Sequence, residues 1–94
     1  MRILGLSILG TYKKNHADVR NQLDAWQVDV ERQNWSSSHD IRQRYKSADF
    51  LSDNRVIFDI KGNKHRLVVQ VRYQNGLVLV QWIGTHAEYS KKRF

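Results

Sequence analysis

Apolar side chains recur at the spacing of an α-helix in the first third of the chain. In residues 16–33 one apolar stripe consists of Val19, Leu23, Trp26 and Val30. These residues are four, three and four positions apart, which places them on one side of a helix. Asn15 precedes the stripe and is the predicted N-cap of this helix. The same pattern predicts a short helix over residues 6–14 and another over residues 39–45, begun by Ser37 or Ser38.

From residue 54 onward the apolar period changes to two, which is typical of β-strands. Runs rich in Val, Ile, Tyr and Trp predict three strands, over residues 55–60, 66–73 and 77–83. A fourth, short edge strand is predicted over residues 1–4. Gly-Asn at 62–63 and Asn-Gly at 75–76 predict tight turns between the longer strands, and the second pair is a strong signal for a type I′ hairpin.

Two-residue turns would set the register of these strands, with Lys61 facing Lys64 and Gln74 facing Leu77. One face of the sheet is then apolar and should cover the helices; its residues are Val56, Phe58, Ile60, Leu67, Val69, Val71, Tyr73, Val78, Val80 and Trp82. The opposite face should be open, because a one-residue slip would bury arginines at a high cost in free energy. The predicted open face carries a row of Asp59, Arg66 and Thr85, together with Arg72 and Ile83.

Length and composition favour one domain spanning residues 1–94 of the 94-residue chain. The absence of cysteine excludes disulfides and Cys-based zinc sites, and it suits a reducing cytoplasm, which is the expected location. The apolar run at residues 2–10 is too short to cross a membrane, and it lacks the cleavage site of a signal peptide. We therefore expect no membrane association.

Positive charge is concentrated in the C-terminal part of the chain. Residues 55–94 hold eight Lys and Arg against two acidic residues, which is +6 of the total net charge of +7. A localised basic surface attracts polyanions, of which nucleic acid is the commonest. An acidic protein, a membrane surface or a merely solvated basic face remain as alternatives.

Several chemistries lack their sequence signatures. No glycine-rich phosphate loop or nucleophile elbow occurs, and histidines 16, 39, 65 and 86 lack the spacing of a metal site. We therefore expect neither a metal nor a cofactor.

A set of basic, imidazole and phenol side chains should converge at one end of the sheet, where the first hairpin turn meets the C-terminal segment. It consists of Lys61, Asn63, Lys64, Arg66, His86, Tyr89, Lys91 and Lys92. Such a set can bind RNA through phosphates and bases. It could also cleave RNA, since His, Tyr and Lys can exchange protons while Arg stabilises charge on the phosphate.

Each of these residues also has a structural interpretation. Arg66 could pair with Asp59 across the strands, and Asn63 suits a turn. His86 could cap a short terminal helix, Tyr89 could pack against the sheet, and the C-terminal cations could be a solvated tail.

Two motifs together resemble a known family. "FDIKGNKHRLVV" (58–69) and "GTHAEY" (84–89) resemble the HigB-type toxins of bacterial type II toxin–antitoxin pairs, in the RelE-like superfamily. "NHADVRNQLDAW" (15–26) is similar to the second helix of that family, and Trp35 with "SADFL" (47–51) to its link to the sheet. The chain departs from the family pattern at His65, where Tyr is common, and at Ser90, where Asp is common.

The resemblance implies an α+β, RelE-like fold, in which a small antiparallel sheet is packed on one face by two to three helices. It implies an endoribonuclease that cleaves mRNA, often during translation on the ribosome, and so inhibits translation. It also implies a HigA-type antitoxin with a helix-turn-helix domain as partner. The alternative is a non-catalytic basic module that binds RNA or protein.

The motifs also suggest roles for individual residues. By resemblance, Arg66 contacts the scissile phosphate, and His86 and Tyr89 transfer protons. Eight further residues are predicted RNA contacts: Lys61, Asn63, Lys64, His65, Arg72, Lys91, Lys92 and Arg93.

Overall fold

Three helices form where the 3.6-residue period predicts them. The structure is a computed structural model that describes residues 1–92 and residue 94. Its first three helices are α1 (Leu6–Asn15), α2 (Arg20–Glu31) and α3 (Ser38–Arg44). The predicted stripe of α2 is at most 3% exposed and faces the sheet. Asn15 is the last residue of α1, so its predicted capping role is wrong; a 3₁₀ turn, Ala17–Val19, leads into α2.

In the described part of the chain, five strands form one mixed sheet in the order β1-β5-β4-β3-β2. They are β1 (Arg2–Leu4), β2 (Asp49–Leu51), β3 (Arg55–Ile60), β4 (His65–Arg72) and β5 (Leu77–Thr85). β1 runs parallel to β5, whereas the other neighbouring pairs are antiparallel. The α+β architecture is confirmed, with one parallel edge pair and a three-residue β2 that the apolar pattern did not predict.

The two hairpins differ in how well their turns were predicted. In the first, Asp59 lies opposite Arg66, and the main-chain N–H of Lys64 donates to the Lys61 carbonyl, as the Gly-Asn pair at 62–63 predicts. In the second, Arg72 pairs with Leu77, so four residues form the connection instead of two. The type I′ prediction is wrong because only Gly76 adopts positive φ, at 65°, after a 3₁₀ turn over Tyr73–Asn75.

A β-bulge changes which residues of β5 face the helices. Val69 lies opposite Val80, but Val68 lies opposite Trp82, so β5 contains one extra residue at this point. Because side chains alternate along a strand, every later residue of β5 changes face. Ile83 is therefore in the core, and Trp82 is on the open face, which reverses both predictions. Gly84, not Thr85, lies beside Arg66.

The core between the helices and the sheet is centred on Phe58. Its ring lies 5.5 Å from Trp26 of α2, 6.3 Å from Trp35 and 5.0 Å from Tyr45, measured between ring centroids. Phe58 is 1% exposed. These aromatic contacts hold β3 against α2 and the segment around α3. None of the helices among the described residues is long and apolar enough to span a bilayer.

Asp29 joins α2 to the end of α3. Its carboxylate accepts hydrogen bonds from Arg44 Nε, at 2.7 Å, and from the Tyr45 hydroxyl. The hydrogen bond from Arg44 is the main reason that the pKa of Asp29 is lowered from its ordinary value of 3.8.

Asp29→Asn should lower the free energy of unfolding at pH 7 by about 1 kcal/mol, because the charge that accepts hydrogen bonds from Arg44 and Tyr45 is lost at a partly exposed site. A carboxyl whose pKa is lowered in the folded state stabilises the fold fully above its unfolded pKa. This stabilisation disappears as pH falls through the folded pKa. Urea unfolding should therefore separate the variant from wild type at pH 7 but not well below pH 3.8. A difference that persists at low pH would contradict this account. Glu31→Gln, at an exposed acidic position of the same helix, is the control.

Candidate functional site

Arg66 lies on the open face of β4 between two carboxylates. Its Nη2 donates to Asp49 of β2, and its Nε lies 3.2 Å from the Oδ1 atom of Asp59 on β3. The Nε–H group is buried and makes no hydrogen bond, so the contact with Asp59 is ionic only. The Arg66 side chain is 12% exposed. The cross-strand pair with Asp59 is thus present, and Asp49 is a second partner that the sequence did not reveal.

Tyr89 covers the other side of the same guanidinium. The Arg66 Cζ atom lies 4.5 Å from the centroid of the phenol ring, which is a cation–π contact. Tyr89 lies on α4 (His86–Ser90), directly after β5. The structure therefore brings together the motif arginine and the motif tyrosine.

A capping box positions α4. The Glu88 main-chain N–H donates to Thr85 Oγ1, at 3.2 Å, and the Thr85 N–H donates to Glu88 Oε1, at 2.8 Å. These bonds to Thr85 lower the pKa of Glu88. Thr85, and not His86, is therefore the cap.

His86 begins α4 next to the first hairpin turn. Its main-chain N–H donates to the Lys64 carbonyl, at 3.0 Å, so α4 and this turn are joined as predicted. The imidazole is exposed. Because His86 and Tyr89 are three residues apart, they lie on neighbouring positions of the same side of the helix. This places a second proton-transfer candidate at the rim of the open face.

Trp82 adds an aromatic group that the sequence analysis had assigned to the core. Its ring centroid lies 6.2 Å from that of Tyr89 and 5.7 Å from that of Phe94. The Lys92 ammonium lies 5.6 Å from the Trp82 ring centroid. Only the bulge in β5 brings Trp82 to this face, which explains why strict alternation missed it.

The other predicted RNA contacts divide into two groups. Asn63, Lys64 and Lys91 are exposed at the same end of the sheet, and Lys61 Nζ donates to Asp18 Oδ2 at 3.3 Å. Arg72 is six residues from Arg66, which is about 20 Å along a strand. It borders a depression of about 650 Å³ at the opposite end of β4. Arg93 lies outside the described residues.

His65 lies in the interior, apart from the exposed cations. It is 5% exposed and faces α1, where the Tyr12 hydroxyl lies 2.7 Å from its Nδ1 atom. Its Nε2 atom is 3.4 Å from Asp18 Oδ2. Burial is the main cause that raises the pKa of Tyr12 to about 12, so we assign the neutral phenol as donor to Nδ1. We therefore give His65 a structural role at the contact between α1 and β4.

The arrangement has the parts of a phosphate-binding site without a metal. Among the residues that the structure describes, no three His, Cys, Asp or Glu side chains are grouped so as to hold a metal ion. Arg66 offers donors to an anion if the exposed Asp49 moves aside, and its guanidinium contacts Tyr89. His86 lies three residues before Tyr89 on α4.

Comparison with known proteins identifies a family for this chain. A family model described as HigB_toxin, the RelE-like toxic component of a toxin–antitoxin system, matches residues 19–92. A search of curated proteins finds no match. The matched range contains most of the sheet, the Arg66–Tyr89 contact and α4. The chain therefore belongs to the HigB toxin family and is the RelE-like toxic component of a toxin–antitoxin system, with an antitoxin as partner.

Proposed function

We propose that this toxin is an endoribonuclease that cleaves mRNA on the ribosome and thereby inhibits translation. The observation that carries the proposal is the contact between the Arg66 guanidinium and the Tyr89 ring on an open face, 4.5 Å apart. The proposal treats residues 1–94 as one catalytic domain that works without a metal or a cofactor.

Cleavage would follow the ordinary chemistry of the RNA 2′-hydroxyl. The 2′-oxygen forms a bond to the adjacent phosphorus and loses its proton, and the bond from phosphorus to the 5′-oxygen breaks as that oxygen gains a proton. The products are a 2′,3′-cyclic phosphate and a 5′-hydroxyl. Arg66 stabilises the negative charge that develops on the phosphate, since it stays charged throughout. Of His86 and Tyr89, one takes up the proton from the 2′-oxygen and the other gives a proton to the 5′-oxygen.

The two carboxylates around Arg66 would have different roles. Asp49 is the more exposed, at 60% of its side chain, and lies on the edge strand, so an RNA phosphate can replace it. Asp59 is 19% exposed and stays beside Arg66 Nε, and Tyr89 covers the guanidinium plane. This leaves the Nη atoms directed at the open face for a phosphate.

The proposed RNA backbone path follows the exposed cations at this end of the sheet. Asn63 and Lys64 border it on the turn side, and Lys91 and Lys92 follow α4. Lys61 would join the path by leaving Asp18, whose carboxylate its ammonium contacts at 3.3 Å. His65 is not part of the path because its side chain is buried. The concentration of positive charge in residues 55–94 favours both an RNA partner and an acidic antitoxin, for which we propose the HigA type with a helix-turn-helix domain.

Induced expression tests the proposal. We expect growth to stop and new 5′-hydroxyl ends to appear inside translated mRNAs, with cleavage by the purified protein requiring ribosomes. Tyr89→Phe is the matched variant, because it keeps a ring over Arg66 but removes the hydroxyl, and it should slow cleavage about 10²-fold or more if Tyr89 transfers a proton. Wild-type expression without growth arrest or new ends would refute the nuclease.

A non-catalytic module that binds RNA or protein is the second candidate. It is favoured by the neutralisation of Arg66 by Asp49 and Asp59, which is also what a purely structural arginine would show. In that case the wild-type protein would bind ribosomes or RNA in a salt-sensitive way without producing new ends.

A further inference from the structure

Trp82 differs from the other two tryptophans of the chain in where it lies. Trp26 and Trp35 are 3% and 4% exposed and contact Phe58 in the core. Trp82 is partly exposed on the open face, in a row with Ile57 and Val68. The β-bulge at Val68 and Val69 produces this placement by reversing the faces of β5. A large aromatic side chain is thus presented beside Arg66, away from the helices.

Gly84 allows the indole of Trp82 to lie close against the sheet. A Cβ atom at Gly84 would lie 2.5 Å from Trp82 Cη2 and closer still to Cζ2, which is a severe overlap. The indole therefore lies across the backbone of Gly84, and Gly84 lies opposite Arg66 on the neighbouring strand. Part of the ring is thus held close to β5 next to the arginine, and the side chain as a whole remains partly exposed.

Cations flank this ring. Lys92 Nζ is 5.6 Å from its centroid, and Arg66 lies against Tyr89, whose ring is 6.2 Å from Trp82. Phe94 packs at the side, parallel to Tyr89. An aromatic platform with basic groups at its border is the arrangement by which proteins hold single-stranded nucleic acid, since bases stack on the rings and phosphates contact the cations.

We propose that Trp82 is a base-stacking residue, on which one nucleobase of single-stranded RNA lies while an adjacent phosphate contacts Arg66 or Lys92. The inference rests on the proposed RNA substrate and adds the residue that holds a base. Stacking strength differs among bases, so Trp82 also contributes a modest preference for purines at this position.

A structural role for Trp82 is the competing explanation, because Ile57 and Val68 beneath the open face are at most 1% exposed and need cover. Trp82→Leu separates the two roles, since leucine still covers these residues but presents no ring. Trp82→Phe keeps a smaller ring. Gly84→Ala leaves the indole in the chain but forces it out of position. Val28→Ala, at an exposed apolar position on α2, is the control.

The test measures binding of a short single-stranded RNA whose 2′-hydroxyls are methylated, so that it cannot be cleaved, and of an abasic oligonucleotide of equal length. Binding of the first should quench tryptophan emission in wild type, because Trp82 is the accessible indole among the described residues. Trp82→Leu and Gly84→Ala should bind it about fivefold to a hundredfold more weakly, and Trp82→Phe should be intermediate. None of these variants should change the weaker binding of the abasic oligonucleotide. Urea unfolding confirms that each variant is folded.

Two results would overturn the stacking role: equal affinity of wild type and Trp82→Leu for the methylated RNA, or no quenching up to millimolar RNA. Its failure is distinguishable from failure of the nuclease. If wild type cleaves mRNA but Trp82→Leu cleaves equally well, the nuclease stands and the stacking role falls. If wild type binds with quenching but never cleaves, the stacking role stands and the nuclease falls.

Discussion

Arg66→Ala should abolish the growth arrest caused by the wild-type chain and slow RNA cleavage by about 10²- to 10³-fold, the usual effect of removing one group that stabilises charge in a transition state. The reason is that Arg66 is the permanently charged side chain in contact with Tyr89 on the open face. The measurements are growth after induction and mapping of new 5′ ends.

The controls for Arg66 separate catalysis from folding. Removal of the guanidinium leaves Asp59 and Asp49 without their cation, which should cost about 1–3 kcal/mol of unfolding free energy but leave the fold intact. Arg20→Ala, an exposed arginine on α2, should remain toxic. Asp49→Asn should bind RNA at least as tightly as wild type, because a phosphate no longer competes with a carboxylate. An unfolded Arg66→Ala protein by circular dichroism would instead identify a structural ion pair.

Phe58→Ala should lower the free energy of unfolding by about 3–5 kcal/mol, because a buried phenyl group is lost and a cavity remains. That is a large part of the total stability of a domain of this size, which is about 5–15 kcal/mol. Any loss of toxicity should then follow the loss of folded protein, in contrast to Arg66→Ala. Urea unfolding measures the change.

Val28→Ala is the matched control for Phe58, since Val28 is 48% exposed and its truncation should change stability by less than about 0.5 kcal/mol. Phe58→Leu should cost less than Phe58→Ala because leucine fills part of the cavity. Equal losses for Phe58→Ala and Val28→Ala would show that the aromatic cluster around β3 does not stabilise the fold.

The elements that rest on local periodicity were predicted well. The α2 stripe is buried as its spacing predicts, because a helix repeats its contacts every three or four residues whatever the rest of the fold. The first hairpin also has its predicted register, with Asp59 opposite Arg66, since the short turn is encoded by adjacent residues. The proximity of this turn to α4 depends instead on the pairing of β4 with β5, which places His65 opposite Thr85.

Predictions failed where one residue changed the count along a strand. Alternation assigns faces correctly only while each residue has one partner, and the extra residue near Gln81 breaks this relation. Trp82 and Ile83 therefore exchanged places. The Asn-Gly pair at 75–76 also gave a wrong residue count between strands. Gly76 ends a 3₁₀ turn, so the connection has four residues where the pair predicted two.

By itself, the sequence determined the helices, the three long strands, the basic C-terminal part and the motifs that carry the family. These depend on composition and on neighbours a few residues apart. Only the tertiary structure decided that β1 pairs with β5 in parallel and that Asp49 contacts Arg66. It also decided that His65 is buried against Tyr12, and that Trp82 lies near Tyr89 on the open face. Each of these contacts joins segments far apart in sequence or depends on the bulge, and no local pattern encodes which distant side chain will fill a given place.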